Sequence, residues 1–269
     1  MLYIIGGAIF VLIGVSLFFG SKKQASKSLA ISATDETSPR NLFENYESLS
    51  NSYGKGSFKL YSKLYGKAHS ENPIISEYSK KECAYVYVEI EREFEQLETK
   101  TESNGAKTQK WVKKTEVVLD REQVADDFSI KKDEWSVKLN HRDAEIDAIE
   151  SYSVFEKEAY QNQIDFSFAG ISFKNTSTNK TIGFYHVEKS IPVGQSLFVV
   201  GNANDDTGEL IISKSTEKNK PYIISTKNES EVTADYSSSS RSKKNWGYGL
   251  LMAGVVLFVI GILKKLEMI

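Results

Sequence analysis

The run from Trp246 to Leu263, WGYGLLMAGVVLFVIGIL, is eighteen residues long without a charge and is closed by Lys264 and Lys265. At a rise of about 1.5 Å per residue such a helix nearly matches a hydrocarbon layer about 30 Å thick, inside which every amide must bond within its own helix. It is therefore read as a transmembrane helix, with Trp246 and Tyr248 at headgroup level and the two lysines snorkelling at the other end. Leu2 to Gly20 is a second uncharged run of spanning length, followed by Lys22, Lys23 and Lys27. Nothing basic precedes it except the α-amine, so an uncleaved anchor is expected rather than a signal peptide.

Everything between these runs must be explained as material held at a membrane. The formal net charge of −2 conceals a partition: residues 1–27 carry +3, residues 241–269 carry +4, and the stretch 28–240 carries −9. An acidic body between basic necks does not attract nucleic acid. One cysteine, Cys83, and three histidines, His69, His141 and His186, exclude an intramolecular disulfide and a closed Cys₄ or Cys₂His₂ zinc site. No metal site and no cofactor are expected.

The glycines of the two runs keep a common interval. Gly7 and Gly14 are seven apart with Ser21 continuing the series, and Gly247, Gly254 and Gly261 repeat the spacing. Seven residues at about 100° each return to within about 20° of the start, so each set forms one small-residue stripe. Close backbone approach along such stripes is a usual means of packing in lipid. The stripes are read as packing the two helices on each other or on a neighbouring copy, against the plainer reading that glycine is common in membrane helices.

Residues 21–55 have the composition of a linker, interrupted by Leu42, Phe43, Tyr46 and Leu49 at helix-like spacing, which suggests a short amphipathic helix at the bilayer surface. From Ser57 the period changes to two. Cys83 to Gln96 is read as a long strand with Ala84, Val86, Val88 and Ile90 toward the core and Tyr85, Tyr87, Glu89, Glu91 and Glu93 on the other face. A turn at Ser103-Asn104-Gly105 returns Gln109 to Asp120 as an antiparallel partner whose lysines face those glutamates, each pair contributing about 0.2–1 kcal/mol. Two short strands, FSI and WSVKL, follow, joined at Asp133. His141 to Tyr160 is the best helical candidate of the body, and strands resume at Gln163 to Lys174 and Thr181 to Val187. Leu197 to Val200 and Leu210 to Ile212 form a looped hairpin. Its tip, NANDDTG, fails the EF-hand pattern because the glycine falls one place late and Ser213 stands where the twelfth-position glutamate belongs.

The order of features resembles the GIDE domain. That domain lies between two transmembrane helices in the mitochondrial RING ubiquitin ligase and in many bacterial, archaeal and plant membrane proteins. The resemblance rests on Gly66-Lys67-Ala68, Pro73, Cys83, Trp111, Phe128 and Asp133. It is densest at Glu188, Ile191, Gly194, Gly201 and Gly208, followed by Pro221-Tyr222-Ile223-Ile224-Ser225. It implies an α+β, β-rich fold, a compact, mainly antiparallel β domain inserted between two transmembrane helices. The expected layout is a transmembrane helix over 1–20, a linker over 21–55, the GIDE-like domain over 56–230, a neck over 231–245, a second transmembrane helix over 246–263 and a tail over 264–269.

In that ligase a RING finger follows the second helix. Residues 264–269 contain neither cysteine nor histidine, so ubiquitin transfer is not expected. No G-x-S-x-G elbow, phosphate-binding loop or G-x-G-x-x-G fingerprint occurs, and no catalytic residue is nominated. The expectation is a non-enzymatic two-pass protein of a bacterial cell membrane that assembles with itself or with another membrane protein. Family relatives point to LemA-like proteins as candidates. The alternative is a ubiquitin-ligase-like relative with residual or partner-dependent hydrolase or transferase activity. Lys22, Lys23, Lys27, Arg241, Lys243 and Lys244 flank the central segment and favour its cytoplasmic placement, whereas the mitochondrial relative holds its domain on the other side. The site residues that remain are Gly7, Gly14, Gly247, Gly254 and Gly261.

Overall fold

In the computed structural model, which describes residues 2–102, 105–157, 165–168, 171–174 and 179–265, both uncharged runs are helical and both helices continue well beyond them. In chain order the elements are α1 (Leu2–Ser32), β1 (Glu36–Thr37), α2 (Pro39–Tyr53), β2 (Lys59–His69), β3 (Ile74–Ile75), β4 (Glu82–Thr101), β5 (Lys107–Val124), β6 (Ser129–Lys132), β7 (Trp135–Leu139) and β8 (Glu145–Asp147). There follow β9 (Ile149–Lys157), β10 (Asp165–Phe168), β11 (Ile171–Lys174), β12 (Lys180–Pro192), β13 (Ser196–Asn204), β14 (Ile211–Ser213), β15 (Ile223–Ser225) and α3 (Glu229–Lys265). A β-rich region thus lies between two long apolar helices. The chain divides into two compact units, one of Met1–Gly66, Lys132–Asp147 and Ser196–Ile269, the other of Lys67–Lys131 and Ala148–Gln195.

In the first unit, residues 21–32 and 231–245 are helix, not linker and neck. The serine- and lysine-rich composition misleads here because neither stretch contains a proline or an interior glycine, and both are held by packing. Ile31 of α1 and Val232 of α3 are buried with Phe198, Val200 and Ile223, with Tyr61, Tyr65 and Tyr236 packed around them. Burying an aliphatic or aromatic side chain of this size contributes about 1.5–3 kcal/mol, more than an exposed ion pair supplies. The start of α3 is fixed by a capping box: Asn228 Oδ1 accepts from the Glu231 N–H at 3.0 Å, and the Asn228 N–H donates to Glu231 Oε2 at 2.9 Å. Glu229 in the first turn accepts from Lys63 Nζ at 2.8 Å and Tyr65 Oη at 2.5 Å.

Helix α2 starts where Ser38 Oγ accepts the Asn41 N–H, with Pro39 preset for the first turn, and stops at Gly54, whose φ is +85°. Its apolar side does not lie free for a bilayer. Leu42 is buried, the Phe43 ring lies 5.1 Å from Trp135 of β7, and Tyr46 meets Phe58 edge-on.

Part of the sheet in this unit runs β7-β14-β13-β15-β8, with β2 also pairing with β13 and β1 parallel to β2. Central β13 is antiparallel to β14 and β15, and its Leu197, Phe198, Val199 and Val200 are all buried. The outer pairs, β14 with β7 and β15 with β8, are parallel, a departure from plain hairpin topology. A Cβ placed on Gly201 would meet Ile212 Cγ2 at 2.7 Å and the Tyr222 ring at 2.8 Å, which explains the glycine in mid-strand. The hairpin tip commits its carboxylate internally: Asp205 accepts the N–H groups of Gly56 at 2.7 Å and Phe58 at 2.9 Å.

In the second unit β4 is the spine. It pairs antiparallel with β5 and with β12, and β9 adds beyond β12. Its buried face carries Ala84, Val86, Val88 and Ile90 as the alternation predicts, and continues through Arg92 and Phe94. Arg92 is tolerated there because Thr181 Oγ1 accepts from its Nε at 2.9 Å and Glu116 from its Nη1 at 2.8 Å. A register shift after Ile90 means that Glu91 opposes Val117 and Glu93 opposes Thr115, so only some glutamates meet lysines, as in Lys113 with Glu93 at 3.1 Å. The turn expected at Ser103-Asn104 lies outside the described residues; Gly105 has φ +81°.

The helix expected over His141 to Tyr160 is absent among the described residues. That stretch forms β8 and β9, because strand pairing with β15 and β12 outweighs a weak helical pattern rich in charged residues. Residues 158–160 lie outside the description.

Candidate functional site

The five predicted glycines meet at one contact, where α1 and α3 run antiparallel. A Cβ on Gly7 would approach Gly254 O to 2.8 Å, and one on Gly14 would approach Gly247 O to 2.9 Å. A Cβ on Gly254 would meet Gly7 O and Val11 Cγ2 at 2.9 Å, and one on Gly261 would meet Ile4 N at 3.0 Å. Gly6 and Gly249, off the stripe, have nothing within 4 Å. Backbone therefore lies against backbone, an arrangement that any larger side chain would prop open.

The same interval continues outside the apolar runs. Ser21 Oγ lies 3.1 Å from Ser240 Oγ, and Ser240 Oγ donates to Ser21 O at 3.0 Å. One heptad further, Ser28 Oγ donates to Thr233 O at 3.3 Å. The partner positions on α3 fall by seven as those on α1 rise by seven. A seven-residue repeat keeps one seam in contact over many turns. Reading the sequence stopped at Ser21, although Ser28, Thr233 and Ser240 keep the period.

Aromatic rings and lysines mark two levels on this pair. At one end Lys264 Nζ lies 4.9 Å over Tyr3. At the other Phe18 packs 6.0 Å from Tyr248, with Lys22 over the first ring at 4.9 Å and Lys244 over the second at 6.0 Å. Such belts belong to membrane–water interfaces.

In the second unit the buried face of β12 carries a polar row, His186, Glu188 and Ser190, with Glu188 fully buried. Both Glu188 oxygens accept from Ser76 Oγ at 2.7 Å, Ser151 Oγ donates at 2.6 Å, and the Tyr78 N–H donates at 3.1 Å. Burial alone pushes its pKa up, but the hydroxyls of Ser151 and Ser76 and the backbone donors outweigh it and hold the carboxyl below its ordinary range. Tyr78 also bonds His186 Nδ1 at 2.6 Å and stacks on Tyr152 at 4.3 Å. This carboxylate ties the segment after β3 to β9 and β12. Its acceptor capacity is spent on serines that would otherwise be nucleophile candidates. Cys83 is fully buried, and burial pushes its thiol up, away from the reactive thiolate. No spacing in the sequence marks the Glu188 cluster, which is assembled from segments far apart in the chain.

The opposite face of that sheet carries exposed apolar side chains in register around one carboxylate. Val117 of β5, Glu91 of β4, Tyr185 of β12 and Phe155 of β9 stand side by side, with Val117 56%, Tyr185 44% and Phe155 38% exposed. The Phe155 ring lies across Gly183, where an added Cβ would meet Cζ at 2.7 Å.

A β-rich body lies between two helices, each long and apolar enough to cross a membrane, an arrangement compatible with a membrane protein. The chain matches the family described as GIDE, E3 ubiquitin ligase, over residues 95–261, and it belongs to that family. The match opens within β4, later than the first resembling residues at Gly66, and closes in the apolar part of α3. Comparisons with curated proteins and with solved structures gave no match.

Two predictions follow from these contacts. In a Cys83→Ser background, Ser21→Cys with Ser240→Cys will form an intrachain disulfide in membranes, read as a mobility shift. Adding Gly254→Ile will cut its yield by about tenfold, as expected from an overpacking cost of about 1–3 kcal/mol. Glu188→Gln will lower unfolding stability at neutral pH by about 1–3 kcal/mol, measured by denaturant titration in detergent. Because the folded pKa of Glu188 is depressed, its contribution is present above the ordinary glutamate range and is lost as pH falls through the folded value. The variant will therefore show a shallower loss of stability on acidification.

Proposed function

We propose that this chain is a non-enzymatic two-pass membrane protein that presents its GIDE domain beside the bilayer and assembles there with a second copy or another membrane protein. The observation that carries this reading is the exposed row of Val117, Tyr185 and Phe155. Tyr185 and Phe155 pack side by side, Glu91 stands between them and Val117, and exposed aromatic rings interleaved with carboxylates suit a protein partner. The acidic residues Glu91 and Glu93 beside Phe155 and Tyr185 line a depression of about 230 Å³, which suits a partner bearing apolar and basic side chains.

The antiparallel seam supports both helices crossing together, which places their outer ends on one side and the domain on the other. Lys22, Lys23, Lys27, Arg241, Lys243 and Lys244 on the domain side favour the cytoplasm for it. The family description names a ligase; within residues 1–269, one cysteine and three histidines supply no zinc-ligand set of the RING kind. The buried thiol and the saturated carboxylate of Glu188 support a structural role for both. We assign the protein to adaptor or scaffold work.

A photo-crosslinking residue at position 185, activated in native membranes, tests this reading. A discrete adduct, either a dimer of this chain or one other membrane protein, is expected, together with its loss when Phe155 is replaced by Lys. A chain that stays uncrosslinked at position 185, while the same residue at buried position 198 shows the domain folded, would contradict it.

A further inference from the structure

Beyond the aromatic and lysine belt, the first unit holds a concavity of about 200 Å³ that neither the helix seam nor the exposed sheet face uses. One wall is α1, with Lys23, Ser26 and Lys27; the other is the segment between β14 and β15, with Lys214, Asn219 and Lys220. Asp143 and Glu145 complete it, so four ammonium groups meet two carboxylates.

The cations are not equally engaged. Lys27 is ion-paired with Glu145 and lies 5.3 Å over the Tyr236 ring, and Tyr236 Oη donates to the same carboxylate at 2.6 Å. That carboxylate is therefore consumed. Lys214 reaches Asp143 only at 3.7 Å, both being exposed, and Lys220 bonds Glu217 at 2.8 Å on the rim. Lys23 makes no direct ion pair among the described residues and feels the Glu145 charge only at longer range. The cavity is left with a surplus of positive charge, a serine hydroxyl and an asparagine side chain. Together these donors suit a phosphate, for which lysines act as point charges.

Its height along α1 is also defined. Lys23 stands three residues past Gly20, where the uncharged run ends, and Lys27 seven past it. At about 1.5 Å per residue these lie about 5 and 10 Å beyond the apolar segment, and the headgroup layer occupies about 5–8 Å on each side of the hydrocarbon. A phosphate carried by a lipid in that leaflet would reach the cavity without leaving the membrane.

We infer that this cavity, walled by Lys23, Ser26, Lys214 and Lys220, binds the phosphate of an anionic phospholipid headgroup. The inference rests on the reading of α1 and α3 as spanning helices. The site would fix the domain's height and orientation at the bilayer and couple it to lipid composition, since juxtamembrane lysines gain from anionic lipid.

The test uses the full chain in nanodiscs of phosphatidylcholine with and without phosphatidylglycerol, followed by native mass spectrometry on release from the discs. One phosphatidylglycerol retained per chain is expected. The triple change Lys23→Gln, Lys214→Gln, Lys220→Gln should weaken retention on the order of a hundredfold. The double change Lys243→Gln, Lys244→Gln, which removes charge from α3 outside the cavity, should leave it intact. Equal loss in both variants would mean diffuse attraction and would overturn the site. Displacement of the lipid by glycerol 3-phosphate at matched concentration would overturn the lipid assignment in favour of a soluble phosphate. Incorporation into discs without any preference for phosphatidylglycerol would overturn the site alone, whereas failure to enter discs of either composition would overturn the membrane reading beneath it. Lys23→Arg, which keeps the charge and the fold, should retain the lipid.

Discussion

Where α1 and α3 meet, peptide backbone touches peptide backbone, and the rest of the first unit is built outward from that contact. Two apolar helices in lipid would have no hydrophobic reason to associate and would depend on shape, and residues lacking side chains permit the closest approach. Gly7 on Gly254 and Gly14 on Gly247 supply this in the apolar runs. Ser21 with Ser240 and Ser28 with Thr233 carry the same seam onward with hydrogen bonds, where the surroundings turn polar. The helices then enter a conventional core through Ile31 and Val232. The apolar helices and the core of the first unit are continuous, and the capping box at Asn228 with the Glu229 contacts to Lys63 and Tyr65 fixes where α3 begins.

The second unit is organised by different physics. Its sheet buries a carboxylate as well as an apolar face, and that burial is tolerable only because every donor around Glu188 is prearranged. Such a group specifies one arrangement of the segment after β3 against β9 and β12. The other face leaves Val117, Tyr185 and Phe155 uncovered.

Much of this was legible in the residues. Uncharged length identified the apolar helices, the heptad of glycines identified the seam, and period-two alternation identified the buried face of β4. What escaped did so for physical reasons. Residues 21–32 and 231–245 carry linker composition, and only their partner across the seam makes them helical with certainty, although Ser28, Thr233, Ser240 and the Asn228–Glu231 spacing were signals available in one dimension. The segment over 141–160 has charge and alanine enough to suggest a helix, yet non-local pairing with β12 and β15 decides it. The Glu188 cluster and the lysine-lined cavity are assembled from distant segments, and no local period announces such a meeting. The parallel pairs of β7 with β14 and β8 with β15 were hidden for the same reason.

The claim beneath this account is that α1 and α3 form one rigid pair running without a break from the bilayer into the domain. Amide hydrogen exchange of the full chain in lipid nanodiscs measures it directly. Residues 21–32 and 229–245 should exchange as slowly as the central strand β13, because their amides open only when the seam and core open together. Exchange in those two stretches at the rate of an unstructured chain, with β13 still protected, would contradict it.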